Sequence, residues 1–350
     1  MEQKIELKGG PTICFVAGRS GGHIIPCLTR ARELVKRYPH YQALFFTTHV
    51  PLDKKIIEQS DNVRRHVILT LENFPYKRFY RYPIFILQFI WAFLKSLYWL
   101  KKTKPVQVVT TGGYVALPVC FAARLLKIPV ELQLLDVVPG KALALLTSFA
   151  QSIAVCFKQS IQYLPKHKCM VTDYPVRFSK QDKQIQREDA RKAIGLDADK
   201  YTIFVLGGSQ GSLFLNQLFK KWIQAVPHLH TVLQVIHQTG SQDTDEWKNI
   251  YAELKIPAFV FDYYTALQYC YRSADLVLCR SGAGTLFETR FFNVSCITIP
   301  LESATTSHQK DNAYAFAQQF QDRVKVLLQT DLETASKNLH NLLNINDKNA

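Results

Sequence analysis

The sequence predicts two doubly wound α/β halves, each Rossmann-like, facing each other across an interdomain cleft. Three observations lead there. Short apolar runs alternate with amphipathic stretches at the spacing of strand–helix–strand units. A polar, charge-rich stretch at residues 177–200 stops the alternation, which then starts again. Several of the runs pass straight into glycine-rich turns that open a helical pattern.

In order, TICFVA (12–17) reads as a buried strand, a helical pattern runs from Ile24 to Arg37, and ALFFTT (43–48) reads as a second strand. VQVVTT (106–111), PVELQLL (129–135) and SIAVCF (152–157) follow, separated by helical patterns. Runs this continuously apolar suit parallel strands covered on both faces. The stretch RFSKQDKQIQREDARKAIGLDADK is read as a linker with a short helix. The pattern resumes with YTIFVLGG (201–208), TVLQVI (231–236), PAFVFD (257–262), DLVLCR (275–280) and SCITIP (295–300). The domains are expected at 1–175 and 176–332, with 333–350 a terminal helix packing back on the first domain.

A chain of 350 residues is long for one core, which agrees with two domains. Hydrophobic residues at 47% and charged residues at 20% describe a globular protein. The net charge of +15 asks for a negatively charged partner: nucleic acid, an anionic membrane or a phosphorylated substrate. The eight cysteines form no C-x-x-C pair, and several lie in apolar runs where Cys acts as a small hydrophobe. A reducing compartment is expected, and the N-terminal MEQKIELKGG lacks the apolar core of a signal peptide.

Three turns follow a strand and open a helix: Gly18–His23, Thr111–Tyr114 and Gly207–Ser212. Glycines let the backbone turn sharply and approach a ligand, and helix N-termini offer N–H groups to phosphate. One such turn alone is as well read as a plain tight turn; three in equivalent places favour a ligand. No G-x-x-x-x-G-K-[ST] occurs, and the first turn is not G-x-G-x-x-G, which disfavours P-loop and nicotinamide enzymes. A fourth stretch, Arg280-Ser281-Gly282-Ala283-Gly284-Thr285-Leu286-Phe287-Glu288, also follows an apolar strand. Glu288 there suits a ribose diol; its alternative role is a first-turn acid complementing the helix dipole. Ser307–Asn312 begins another helix whose polar side chains could reach a sugar.

Residues 74–104, FPYKRFYRYPIFILQFIWAFLKSLYWLKKTK, hold an apolar run from Ile84 to Leu100 with aromatic and basic borders and Lys95 inside it. This composition suits a helix lying in the interface of an anionic membrane. A core helix and a transmembrane span are the alternatives. The basic residues gather around this apolar segment rather than along a polar helix or an aromatic stacking sheet, so no nucleic-acid partner is expected.

GRSGGHIIP, TGGYVALP, LGGSQGSLFLN, HQTG, ADLVLCRSGAGTLFE and HQKDNA occur in an order that resembles the MurG family of bacterial N-acetylglucosaminyltransferases, glycosyltransferase family 28. The resemblance runs from about residue 12 to residue 330. It implies a GT-B fold and inverting transfer of N-acetylglucosamine from UDP-N-acetylglucosamine to lipid I, undecaprenyl-diphospho-N-acetylmuramoyl-pentapeptide, giving lipid II. It implies an acceptor and membrane-binding first domain, a UDP-sugar-binding second domain, and a peripheral place on the cytoplasmic face of the cell membrane.

Carried onto matching positions, Ser20, Gly21 and Gly22 would face the diphosphate region and His23 would act as general base or hydrogen-bond substrate. Arg177 and Ser209 would serve the donor, Tyr264 would meet uracil through its backbone, and Ala283 to Glu288 would wrap the nucleotide. Within that wrap lie Gly284, Thr285, Leu286 and Phe287; Gln309 would bind sugar hydroxyls. No metal or other cofactor is called for.

One departure stands out. The family has His-Glu-Gln-Asn before its V-P-G, and this chain has Gln133-Leu134-Leu135-Asp136. Asp136 is the second candidate base and a substrate-binding candidate. Three other readings are a UDP-sugar epimerase, a transferase with a different acceptor, and a UDP-sugar-binding homologue without turnover.

Overall fold

The computed structural model describes residues 10–58, 60, 63–75, 78–208, 211–240, 244–301 and 308–343. The chain divides into two compact units, Met1–Arg177 and Phe178–Ala350.

The first unit begins with β1 (Thr12–Val16), α1 (Gly21–Arg37), β2 (Gln42–Thr48), α2 (Pro51–Glu58) and β3 (Arg65–Leu69). It continues with α3 (Tyr82–Thr103), β4 (Gln107–Thr110), α4 (Ala116–Leu125), β5 (Val130–Leu134), α5 (Lys141–Leu146), β6 (Ser152–Val155) and β7 (Cys169–Val171). The strands make one parallel sheet in the order β3-β2-β1-β4-β5-β6-β7. Side chains of β1 alternate between two cores. Cys14 and Val16 join the core beneath α3 and α4, and Ile13 and Phe15 join the core beneath α1. Burial on both faces explains why the strand reads as unbroken apolar sequence. Val16 is in register with Phe46 on one side and Thr110 on the other, so the turns after β1, β2 and β4 emerge along one edge.

α3 is two-faced. Ala92, Ser96 and Leu100 are buried, and Phe89, Phe93, Leu97 and Trp99 pack partly into the core. Ile84, Leu87, Ile90, Trp91, Leu94 and Tyr98 recur at helical spacing on the other side and are exposed, Trp91 to 72%.

The second unit opens with α6 (Lys180–Gln184), α7 (Arg187–Ala193), β8 (Tyr201–Leu206), α8 (Leu213–Ala225), β9 (Leu233–Gln238), α9 (Thr244–Glu253) and β10 (Ala258–Phe261). Then come α10 (Leu267–Ser273), β11 (Leu276–Arg280), α11 (Ala283–Phe292), β12 (Ser295–Ile299), α12 (His308–Gln319), β13 (Val324–Val326) and α13 (Leu332–Leu343). Its parallel sheet runs β10-β9-β8-β11-β12-β13. Counted within each unit, both sheets share the order 3-2-1-4-5-6, with the switch point between β1 and β4 in one and between β8 and β11 in the other. Side chains of α8, α9 and α13 cover one face. Tyr271 covers the other, its ring 5.4 Å from Phe204 and 5.2 Å from Phe292.

Several boundaries differ from the sequence reading. β3, β7 and β13 were not anticipated: β3 is only partly buried, and β7 and β13 have three residues each. Residues 177–200 hold two short helices rather than one, and they are built into the second unit. The buried Arg191 of α7 donates to Ser273 O and to the Asp275 carboxylate at 2.8 Å. The terminal helix, α13, packs within the second unit over 332–343. Ala335 and Leu339 enter the core beside α8, so its apolar face is already occupied. Residues 344–350 lie outside the described residues. Of the eight cysteines, Cys14, Cys27, Cys120, Cys270, Cys279 and Cys296 are buried as small core hydrophobes.

Candidate functional site

In the first unit the β1–α1 turn is clamped from below. Gly18 leaves no room for a side chain, since a Cβ there would stand 2.9 Å from both Asp53 Oδ2 and Thr48 Cγ2. Arg19 follows in the left-handed region at φ 72°, a strained place for a residue with a Cβ. Its N–H donates to both Asp53 carboxylate oxygens, at 2.9 and 3.0 Å. The fully buried Asp53 also accepts the N–H of Thr48 at 3.1 Å and the Thr48 hydroxyl. This carboxylate was not picked out from sequence. The available signal was an acid in the first turn of the helix that follows a central strand.

Ser20 caps α1 through its backbone, its carbonyl accepting the N–H groups of His23 and Ile24 at 3.1 Å. Its hydroxyl makes no capping bond. Gly21 is buried and Gly22 exposed, both in the first turn of α1. His23 is half-buried, and its Nδ1 is shielded from solvent with no hydrogen-bond partner among the described residues. Threonines stitch the second glycine turn to the first. Thr110 Oγ1 donates to Val16 O at 2.8 Å and Thr111 Oγ1 to His23 O at 3.0 Å. Gly112 and Gly113 then take φ values of 99° and 83° that favour glycine. One strand further, Asp136 is half-buried beyond β5, its carbonyl accepting from Ser160 Oγ at 3.3 Å. The turns carrying His23 and Asp136 thus leave the same edge of one sheet. Arg177 is half-buried and is the last residue of the first unit.

In the second unit the turn after β8 is tighter. A Cβ at Gly207 would stand 2.5 Å from Ser212 N, and one at Gly211 would stand 2.7 Å from Gly240 Cα. Ser209 lies outside the described residues. Ser212 caps α8, accepting from Leu215 N at 3.4 Å, and also accepts from Arg280 Nε at 2.9 Å. The Arg280 guanidinium is nearly buried and otherwise meets neutral acceptors: Gln329 Oε1 at 2.9 Å, Ile299 O at 3.2 Å and Pro300 O at 3.4 Å. Among the described residues it has no carboxylate partner. Burial lowers its pKa to about 10, which leaves it a cation at neutral pH. Arg280 was quoted in the motif but given no role from sequence.

Glu288 is the sixth residue of α11 and only 8% exposed. It is therefore not a first-turn acid, and its Oε2 accepts from Tyr271 Oη at 2.9 Å. Ala283 and Leu286 are buried, while Gly284, Thr285 and Phe287 are half-buried along the same helix. Asn312 of α12 donates to Ser281 O at 3.3 Å, which ties α12 to the start of this stretch. Gln309 uses its Oε1 to accept from Leu301 N at 2.9 Å. Tyr264 is half-buried against Phe259 and Phe261, with ring centroids 5.2 and 5.4 Å away.

Residues 13–155 match the glycosyltransferase family 28 N-terminal domain, and residues 202–350 the glycosyltransferase family 28 C-terminal domain. A relative from Protochlamydia amoebophila is 31% identical over 331 residues, covering 89% of this chain and 82% of the relative. One from Thermodesulfovibrio yellowstonii is 30% identical over 301 residues, covering 86% and 81%. Both are named UDP-N-acetylglucosamine–N-acetylmuramyl-(pentapeptide) pyrophosphoryl-undecaprenol N-acetylglucosamine transferase. Among solved structures, Acinetobacter baumannii MurG superposes with a TM-score of 0.71 at 24% identity, covering 95% of this chain and 91% of that one. The UDP-GlcNAc 2-epimerase of Neisseria meningitidis gives 0.64 at 13% identity, covering 95% and 91%.

Two doubly wound units with glycine turns at their switch points are an architecture common to nucleotide-sugar enzymes, and the sequence matches select the glycosyltransferases among them. This chain belongs to glycosyltransferase family 28.

Proposed function

We propose that this chain transfers N-acetylglucosamine from UDP-N-acetylglucosamine to lipid I, giving lipid II, with inversion at the anomeric carbon. The observation that carries the reading is the match to relatives named for that reaction along nearly the whole chain, 331 residues for one of them. Both domains of the family are matched, which supports the reading.

In the reaction the acceptor hydroxyl attacks the anomeric carbon as the bond to the UDP oxygen breaks. His23 takes the hydroxyl proton. Its Nδ1, in the first turn of α1 beside Ser20, Gly21 and Gly22, has no hydrogen-bond partner among the described residues, which supports that role. Asp136, a carboxylate on the same edge, is the second candidate for the base. The charge developing on UDP falls to the second unit. Gly211 and Ser212 lead into the N-terminus of α8, Ser209 just before them in sequence serves the donor, and the stretch from Ala283 to Glu288 lines the nucleotide. Glu288, oriented by the Tyr271 hydroxyl at its Oε2, serves the ribose. Arg177 and Gln309 serve the donor sugar and its phosphates, and Tyr264 borders uracil.

The acceptor is lipid-linked, and α3 offers the means of reaching it. A helix with one face in a protein core and an apolar stripe exposed on the other lies in a membrane surface rather than through it. Lys101, Lys102 and Lys104 at its end suit anionic headgroups on the cytoplasmic face.

The decisive experiment uses the purified chain, radiolabelled UDP-N-acetylglucosamine and a short-chain lipid I analogue in detergent. Label is expected in the lipid, with release of one UDP per transfer. UDP binding without transfer overturns the reading, and conversion of UDP-N-acetylglucosamine without lipid replaces it with an epimerase.

A further inference from the structure

His237 is the fifth residue of β9, fully buried, and both of its ring nitrogens are engaged. Nδ1 lies 2.8 Å from Tyr251 Oη, and Nε2 lies 3.2 Å from Asn216 Oδ1. The Asn216 amide is oriented by its other end, where Nδ2 donates to Thr239 O at 3.1 Å. An amide oxygen only accepts, so Nε2 must carry the ring proton and Nδ1 must accept from the tyrosine. The bonds therefore run one way: Tyr251 to His237, His237 to Asn216, Asn216 to Thr239. Trp247, with its ring 4.4 Å from the imidazole, closes the box, and burial lowers the His237 pKa to about 3.

The last carbonyl in the series touches the glycine turn. A Cβ at Gly211 would stand 2.8 Å from Thr239 O, and Gly211 N–H itself bonds Gly208 O at 3.0 Å. Asn216 stands in the first turn of α8, its N–H bonded to Ser212 O at 3.0 Å. The amide therefore holds the 239–240 backbone to the start of the helix whose N-terminus the turn presents. We propose that His237 and Asn216 are positioning residues for the donor diphosphate: they fix the 239–240 backbone against Gly211 and so hold Gly211, Ser212 and the start of α8 in a ligand-ready shape. The proposal rests on the reading of that turn as the donor site.

The test is steady-state kinetics on the full chain with UDP-N-acetylglucosamine and the lipid I analogue, paired with UDP binding by calorimetry. Asn216→Asp keeps the side-chain shape and loses the N–H to Thr239. It is expected to raise donor KM and UDP Kd at least tenfold, with acceptor KM within twofold of wild type. Tyr251→Phe removes only the hydroxyl on His237 and is expected to raise donor KM two- to fivefold. His237→Gln can both accept and donate, and is expected to stay within threefold of wild type where His237→Leu does not. A purely structural role would instead move both KM values together with the unfolding midpoint. That pattern overturns the proposal, as does an unchanged donor KM in folded Asn216→Asp and Tyr251→Phe. Failure of the wild-type chain to bind UDP removes the donor-site reading itself; normal wild-type binding with silent variants removes only the positioning role.

Discussion

In the first unit an anion holds the turn at the switch point; in the second a cation stands there. Asp53 spends its lone pairs on two backbone N–H groups and a threonine hydroxyl, so its charge is largely absorbed by the loop it fixes. Arg280 is bonded to carbonyls, an amide and a hydroxyl, none of which carries charge. A buried cation without a countercharge is costly, and a diphosphate bound nearby would offset that cost. The same strand order thus supports two electrostatic characters: a turn fixed by a carboxylate beside a histidine in the first unit, and a turn backed by a buried cation in the second.

Five experiments test this contrast. His23→Ala is expected to lower kcat by about 10²–10⁴-fold with UDP affinity unchanged. Turnover within threefold of wild type would take the base away from the first unit's turn and hand the role to Asp136. Arg280→Met should raise donor KM roughly 10- to 100-fold through lost charge-assisted bonds, leaving acceptor KM alone. An effect confined to the acceptor would reverse the assignment of the two turns.

Asp53→Ala removes the acceptor for the Arg19 and Thr48 N–H groups, and is expected to cost about 1–3 kcal/mol, seen as a Tm several degrees lower. An unchanged Tm would mean the carboxylate is not what holds the turn. The units also differ at their surfaces, since α3 carries an exposed apolar stripe. Trp91→Ser should weaken binding to anionic vesicles roughly tenfold while unfolding stays as in wild type. Equal binding would leave α3 without a membrane role.

The smallest effect is in pH. His237 has its folded pKa lowered to about 3 from 6.5, because burial disfavours the charged ring. The unfolded chain therefore binds a proton that the folded chain does not, and this stability contribution is complete above about pH 6.5 and declines as pH falls toward 3. Urea unfolding at pH 7.5 and pH 5 should show wild type losing more stability than His237→Gln between the two. Equal losses would mean that His237 is protonated in the folded chain.

Much of this was legible in the sequence because the signals are local. A buried strand such as TICFV and the glycines beside it lie within a few residues of one another, and period and turn chemistry act at that range. The short edge strands escaped because three residues carry no period. The clamps escaped for a different reason. Asp53 meets Arg19 across 34 residues, and Arg280 meets Ser212 across 68, with nothing in either neighbourhood announcing the partner.

Sequence alone specified the two Rossmann-like halves, the glycine turns that follow their strands, and the family. Tertiary structure alone decided that Asp53 underpins the first turn, that Tyr271 takes half of the Glu288 carboxylate, and that His237 is neutral with its proton on Nε2. It also gave α13 to the second unit. The physical reason is the range of the forces. Periodicity and turn preference are fixed by neighbours along the chain, whereas the state of a buried polar group is fixed by whichever donors and acceptors the fold brings within about 3 Å.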